Sequence, residues 1–216
     1  MSNYGLLING ELVKSDMTLD VINPATEEVF TQVPRADEAM LDQAVAGAKV
    51  AAAKWALTDI DERKALIHKI ADAINANIEP LAKALTQEQG KPLAAATMEV
   101  QYAEIFCRYF TSLNLENEVL VDDENQRVEV QRTPLGVVAG ILPWNFPLLI
   151  GIYKIAPSIL AGNSIILKPA PTTPVVSVML GEILKDVVPA GLVNILVDDN
   201  DLGPKITSHP GIDKIS

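Results

Sequence analysis

Cysteine is almost missing from this chain of 216 residues: Cys107 stands alone, so no intrachain disulfide can form and a zinc–thiolate cluster is ruled out. A reducing, cytoplasmic setting fits that usage. Histidine is nearly as scarce; His68 and His209 share no metal-ligand spacing, and both read as surface residues. Basic charge is short too, with 17 Lys+Arg against 28 Asp+Glu and a net charge of -11. An acidic chain repels phosphate backbones, which argues against a nucleic-acid partner and serves solubility. No basic segment leads into a long apolar run in MSNYGLLINGELV, so the start does not read as a signal peptide. The dinucleotide fingerprint G-x-G-x-x-G and the Walker A loop are both absent, and Gly136 and Gly140 are too scattered within a strand-like run to replace either.

What the chain has in quantity is apolar material, 49% of its residues, enough for a sizeable core. Between Arg132 and Lys168 the only charge is Lys154. A membrane helix needs about 20 consecutive apolar residues. Here Pro143, Pro147 and Pro157 interrupt the run and Asn163-Ser164 closes it. Buried strands of α/β domains also read as near-continuous apolar runs, and that is the reading adopted, with no membrane partner.

Taken in order, residues 4 to 33 read as short strands. Asn9-Gly10 is a strong hairpin signal; strands over Leu19–Ile22 and Glu28–Val33 stop at Asn23-Pro24 and Pro34. Four helices follow. Asp37 can cap the first, Asp59 with Glu62 forms a capping box for the second, and Asn77 can cap a third that stops at Gly90. The fourth begins after Pro92, with Met98, Tyr102, Ile105, Phe106 and Tyr109 as a wide apolar face. Cys107 on that helix has no base beside it and reads as a buried structural residue. ENEVLVDDENQRVEVQRT then alternates as two strands around Asp122–Asn125, a ribbon that needs a further surface to pair with, such as another subunit.

From Gly136 onward strands and helices alternate: Val137–Leu142, a helix from Pro147, Ser164–Leu167, a helix from Thr173-Pro174, Val193–Val197, a short helix, and a strand opening at Ile212. Alternating β and α units imply a doubly wound parallel sheet. Two proline-stiffened polar turns interrupt the apolar run, Pro143-Trp144-Asn145-Phe146-Pro147 and Lys168-Pro169-Ala170-Pro171. In such sheets ligands bind at the carboxyl ends of strands, which is where both turns fall. The last strand has no stop or turn after it, so the chain is expected to be a piece of something longer.

The phrases PLGVVAGILPWNFP and GNSIILKPA resemble the NAD(P)-dependent aldehyde dehydrogenase superfamily. Ile22-Asn23-Pro24-Ala25-Thr26, Glu88-Gln89-Gly90-Lys91-Pro92, Pro189 to Asn194 and His209 to Ser216 extend the resemblance along the whole chain in the family's order. It implies a Rossmann-like α/β fold of that type, truncated, with a projecting antiparallel ribbon. The implied parts are an N-terminal segment 1–115 packing on the cofactor domain, an oligomerisation ribbon 116–134, and the first part of an NAD(P)-binding domain 135–216. The implied reaction has a cysteine thiolate attack an aldehyde, pass hydride to the nicotinamide, and yield a carboxylate after hydrolysis of a thioester. In that scheme Asn145 gives its side-chain amide to the oxyanion hole, a donor that does not ionise. Lys168 bonds the adenosine ribose, and Ile141, Leu142, Pro143 and Trp144 line the cofactor groove.

Two departures stand out. Pro171, counted with the cofactor residues, occupies the position where many NAD-preferring members carry glutamate, which leaves NAD and NADP both open. The run Val197-Asp198-Asp199-Asn200-Asp201 replaces a glycine-bearing loop, and its carboxylates are expected to repel a 2′-phosphate and tilt the choice to NAD. The family's Gly-Ser-x-x-x-Gly turn, glutamate base and cysteine nucleophile would lie past Ser216, and Cys107 matches no catalytic position. By itself the chain is therefore expected not to turn over; the alternative is a non-catalytic binding or oligomerisation module.

Overall fold

A computed structural model describes residues 4–216, so residues 1–3 of the expected N-terminal segment lie outside the described residues. Strands β1 (Leu6–Ile8) and β2 (Glu11–Val13) form the hairpin expected at Asn9-Gly10. Both turn residues have positive φ, 52° and 83°, the twist that joins two strands through two residues. Strands β3 (Thr18–Asn23) and β4 (Glu28–Pro34) make a second antiparallel pair.

Helices α1 (Glu38–Trp55), α2 (Ile60–Asn75), α3 (Ile78–Gln89) and α4 (Leu93–Thr111) follow. Asp37 and Asp59 accept from the N–H groups of Met40 and Asp61, each at 2.8 Å, and cap α1 and α2. Asn77 does not cap α3. Its amide donates to the Ala73 carbonyl at 2.8 Å, because the short connection holds it over the unsatisfied carbonyls ending α2. The face of α4 is also reversed from expectation. Ala96, Val100, Ala103 and Cys107 point inward, while Met98, Tyr102, Ile105 and Tyr109 are each about half exposed, at 50–53%. Small side chains let α4 approach α2 and α5 closely, so the bulky ones are left outside.

Strands β5 (Glu118–Asp122) and β6 (Arg127–Val130) form the projecting ribbon, whose Val119, Leu120, Val128 and Val130 are exposed. The remaining elements alternate as expected: β7 (Val137–Ile141), α5 (Pro147–Leu160), β8 (Ser164–Lys168), α6 (Val175–Leu184), β9 (Val193–Ile195), α7 (Gly203–Ser208) and β10 (Lys214–Ile215). Strands β10, β7, β8 and β9 run parallel in that order, and β1 then β2 continue the sheet antiparallel. The result is a six-stranded mixed sheet, mostly parallel.

Successive strand residues face opposite layers. Leu7, Val138, Ile165, Leu167 and Ile195 pack with α2, α4, α5 and α6. Leu6, Ile8, Val137, Ala139 and Ile166 pack with α1, α7 and the β3–β4 pair. Because both faces are covered, the strands carry the unbroken apolar runs seen in the sequence. Among the described residues no helix is long and apolar enough to cross a membrane.

Candidate functional site

The two polar turns leave the sheet side by side. Ile141 pairs with Lys168 at the carboxyl ends of β7 and β8, and the Leu142 N–H donates to the Lys168 carbonyl at 2.9 Å. Pro147 is the first residue of α5, a position its fixed φ suits. Between strand and helix, Trp144 is 60% exposed, and Asn145 and Phe146 are exposed as well. Asn145 Oδ1 accepts from the Phe146 N–H at 3.1 Å, which leaves the NH2 group as the outward donor.

Lys91, just past the end of α3, holds this turn. Its Nζ donates to the Asn145 carbonyl at 2.8 Å and lies 4.2 Å from the centre of the Phe146 ring. It also pairs with Glu99 of α4, and the two side chains are 9% and 0% exposed. The other oxygen of Glu99 accepts from the N–H groups of Leu148 and Leu149, at 3.1 and 3.2 Å. A carboxylate from another helix thus satisfies the first turn of α5. Glu88 does the same for α6, accepting from Val175 at 2.6 Å and Val176 at 3.0 Å. Burial pushes Glu88 up to about 8, opposed by those two N–H bonds and by Lys91, and reinforced by Glu99.

Lys168 does not end in solvent. It is 5% exposed, and its Nζ lies 2.7 Å from Oδ1 of the fully buried Asp198. Longer bonds run to Asn200 Oδ1 at 3.3 Å and the Pro169 carbonyl at 3.4 Å, while Asp198 Oδ2 accepts from the Leu202 N–H at 2.9 Å. Arg35 sits beside the same loop, 2.6 Å from Asp201 and 3.9 Å from Asp199.

A cleft of about 580 Å³ opens between the β3–β4 pair, the end of α3 and the strand ends. Leu19, Ile22, Pro24, Trp144 and Pro171 give it apolar walls; Asp20, Glu88, Gln89, Thr172, Thr173 and Asp199 are its polar residues. Of the expected cofactor residues, Trp144 and Pro171 stand on the wall. Ile141, Leu142 and Pro143 carry the chain up to Trp144 without lining the cleft, and neither Asn145 nor Lys168 is among its lining residues. The Thr173 hydroxyl is buried with no hydrogen-bond partner among the described residues, as a ligand-bonding group would be. Apolar walls with such a hydroxyl fit the nucleoside portions of a dinucleotide; the carboxylates of Asp20 and Asp199 are less suited to its phosphates.

Lys91, Glu88 and Glu99 are site residues that sequence reasoning missed, and Asp198, read there as one of the carboxylates facing a 2′-phosphate, is instead buried against Lys168. Glu88 and Lys91 lie inside the Glu88–Pro92 phrase, but their roles depend on helices far along the chain. Glu99 left one local signal: a charge on the stripe of small buried residues of α4. Cys107 is fully buried, and burial pushes its thiol up to about 12.

Fold and turns together define an α/β domain with two polar turns at the carboxyl edge of a largely parallel sheet, the edge at which such sheets bind ligands. The model of the aldehyde dehydrogenase family matches residues 12–216, and the chain belongs to that family. It is 37% identical over 210 residues to aldehyde dehydrogenase LUC3 of Fusarium sp, covering 97% of this chain and 44% of that protein. A solved NADP dependent enzyme of E. coli superposes with a TM-score of 0.93 at 31% identity, over 98% of this chain and 46% of that one. Betaine aldehyde dehydrogenase of Staphylococcus aureus, in complex with NAD+, superposes with a TM-score of 0.92 at 28% identity, over 99% and 45%. The chain spans less than half the length of these relatives.

Proposed function

We propose that these residues form the N-terminal portion, with the first part of the cofactor domain, of an enzyme that oxidises an aldehyde to a carboxylate with NAD(P)+. The observation that carries this reading is the adjacency of the two turns, fixed by the pairing of Ile141 with Lys168. A bound nicotinamide would supply the hydride acceptor. Asn145 would direct its free NH2 group at the aldehyde oxygen as that oxygen gains negative charge. Trp144 and Pro171 would form the wall that receives the cofactor, with Ile141, Leu142 and Pro143 setting where Trp144 stands, and Lys168, held by Asp198, would meet the adenosine ribose. NAD is favoured over NADP because Asp199 lines the cleft, while Arg35, the nearby cation, is already paired with Asp201.

The parts would be residues 1–115, packed on the cofactor domain; the ribbon 116–134, joining subunits; and 135–216, the first part of the cofactor domain. The setting would be cytoplasmic. The 216 residues alone would not turn over, since Cys107, their single thiol, is buried. Titration calorimetry of this chain with NAD+ should give weak or undetectable heat, and tight binding would overturn the view that half of the groove is wanting. In the chain extended to the length of its relatives, N145A should lower kcat by about 10²–10³-fold. Undiminished turnover there would sink the reading.

A second reading, a binding or oligomerisation module without catalysis, draws on the exposed Val119, Leu120, Val128 and Val130 of the ribbon. Absence of aldehyde oxidation in the extended chain, with association intact, would favour it.

A further inference from the structure

We propose that the buried Lys91–Glu99 pair is a positioning device for Asn145, a bracket that fixes which way its amide donor points. The proposal rests on the oxyanion role given to Asn145 above. Pro143 and Pro147 stiffen the ends of the turn by fixing their own φ angles, and Pro147 restricts Phe146 before it, but neither restrains Trp144 or Asn145. Those residues have no core to lock them, since Trp144, Asn145 and Phe146 are all exposed. The Phe146 carbonyl accepts from the Ile150 N–H at 3.0 Å, which ties its far side to α5; the Asn145 peptide and the Phe146 ring are held by Lys91, through the Asn145 carbonyl at 2.8 Å and the face of the ring at 4.2 Å.

The hold passes to the side chain by a short route. Asn145 Oδ1 accepts from the N–H of Phe146, the far end of the same peptide whose carbonyl Lys91 grips. Fixing that peptide plane therefore fixes the side-chain oxygen, and with it the NH2 group. Glu99 anchors the arrangement at both ends: one oxygen takes Lys91, and the other takes the Leu148 and Leu149 N–H groups. The turn is thus clamped on its carbonyl side and at the first bonds of α5 by one buried ion pair. Lys91 and Glu99 are positioning residues, since neither touches the reacting atoms.

The bland alternative is that the pair only stabilises α5, and the two make opposite demands on the double variant K91M/E99Q. That variant removes both charges, so no lone charge is buried, and the new amide oxygen at position 99 still accepts from α5. In the ¹⁵N-labelled 216-residue chain, a cooperative melt should persist. The heteronuclear NOE of Trp144, Asn145 and Phe146 should fall to loop values, and the Asn145 side-chain NH2 signals should move to the shifts of a free asparagine amide. Leu148 and Leu149 should keep their signals. Unchanged signals from 144 to 146, or changes confined to 148 and 149, would overturn the proposal. F146L, at a residue 44% exposed, tests the same hold without threatening the fold. It should loosen Asn145 to a lesser degree and spare Leu148, and an unmoved Asn145 there is equally fatal. No aldehyde or cofactor enters these measurements, so their failure refutes the bracket alone, whereas activity surviving N145A refutes the role of Asn145.

Discussion

Glu88 is a carboxylate all but fully buried beside the cleft, and the first turn of α6 is where its charge would go. Burial lifts it from 4.5 to about 8, so the folded chain keeps a proton that the unfolded chain sheds. A raised folded value contributes stability in full below the unfolded one and loses it as pH rises through the folded one. Urea unfolding should therefore show this contribution declining from about pH 4.5 to about 8, by at most about 1.4 kcal/mol per pH unit. E88Q should flatten that slope, and an unaltered slope would mean that another group is responsible. Cys107 was legible as a buried residue because nothing beside it in the helix could activate a thiol. It should ignore thiol reagents at pH 8 in the native chain and react fully in denaturant; fast native labelling would contradict its burial. The tertiary partners of Glu88, Lys91 and Asp198 were not legible. A side chain that caps a helix 87 or 88 residues away leaves no trace in its own neighbourhood.

The elements themselves could mostly be read. Both caps at Asp37 and Asp59, the Asn9-Gly10 hairpin, the Pro147 helix start and every strand from β7 to β9 follow from local chemistry. Failures came where packing overrides pattern. Asn77 bonds backward, since the end of α2 is closer than the start of α3. The apolar stripe of α4 faces out, since close helix contact selects the alanine side. Gly90 matters at this scale. Its φ of 85° ends α3 and turns the chain so that Lys91 reaches the Asn145 carbonyl, while a Cβ there would come within 2.8 Å of Pro24 Cγ. G90A should destabilise the chain by about 1–2 kcal/mol from the left-handed backbone alone. A denaturation midpoint equal to that of the unsubstituted chain would show that the turn relaxes freely.

For the whole molecule, alternating strand and helix signals announced a doubly wound sheet, and the family resemblance announced its type. That the opening hairpin extends the same sheet was invisible, because pairing between distant segments has no local pattern. The ribbon is the feature with consequences beyond one chain. L120E with V128E places charges on two exposed apolar positions of β5 and β6, which should convert any associated form to monomer in sedimentation while the melting curve stays unchanged. Persisting association would place the subunit contact elsewhere.

Leu7 of β1 pairs with Ile195 of β9. During synthesis the first strand emerges from the ribosome long before its neighbour exists, and such non-local closure is slow. The hairpin waits with an open edge and three residues destined for the core, Leu6, Leu7 and Ile8. Docking of that hairpin onto β9 is therefore expected late in assembly, once most of the sheet is in place.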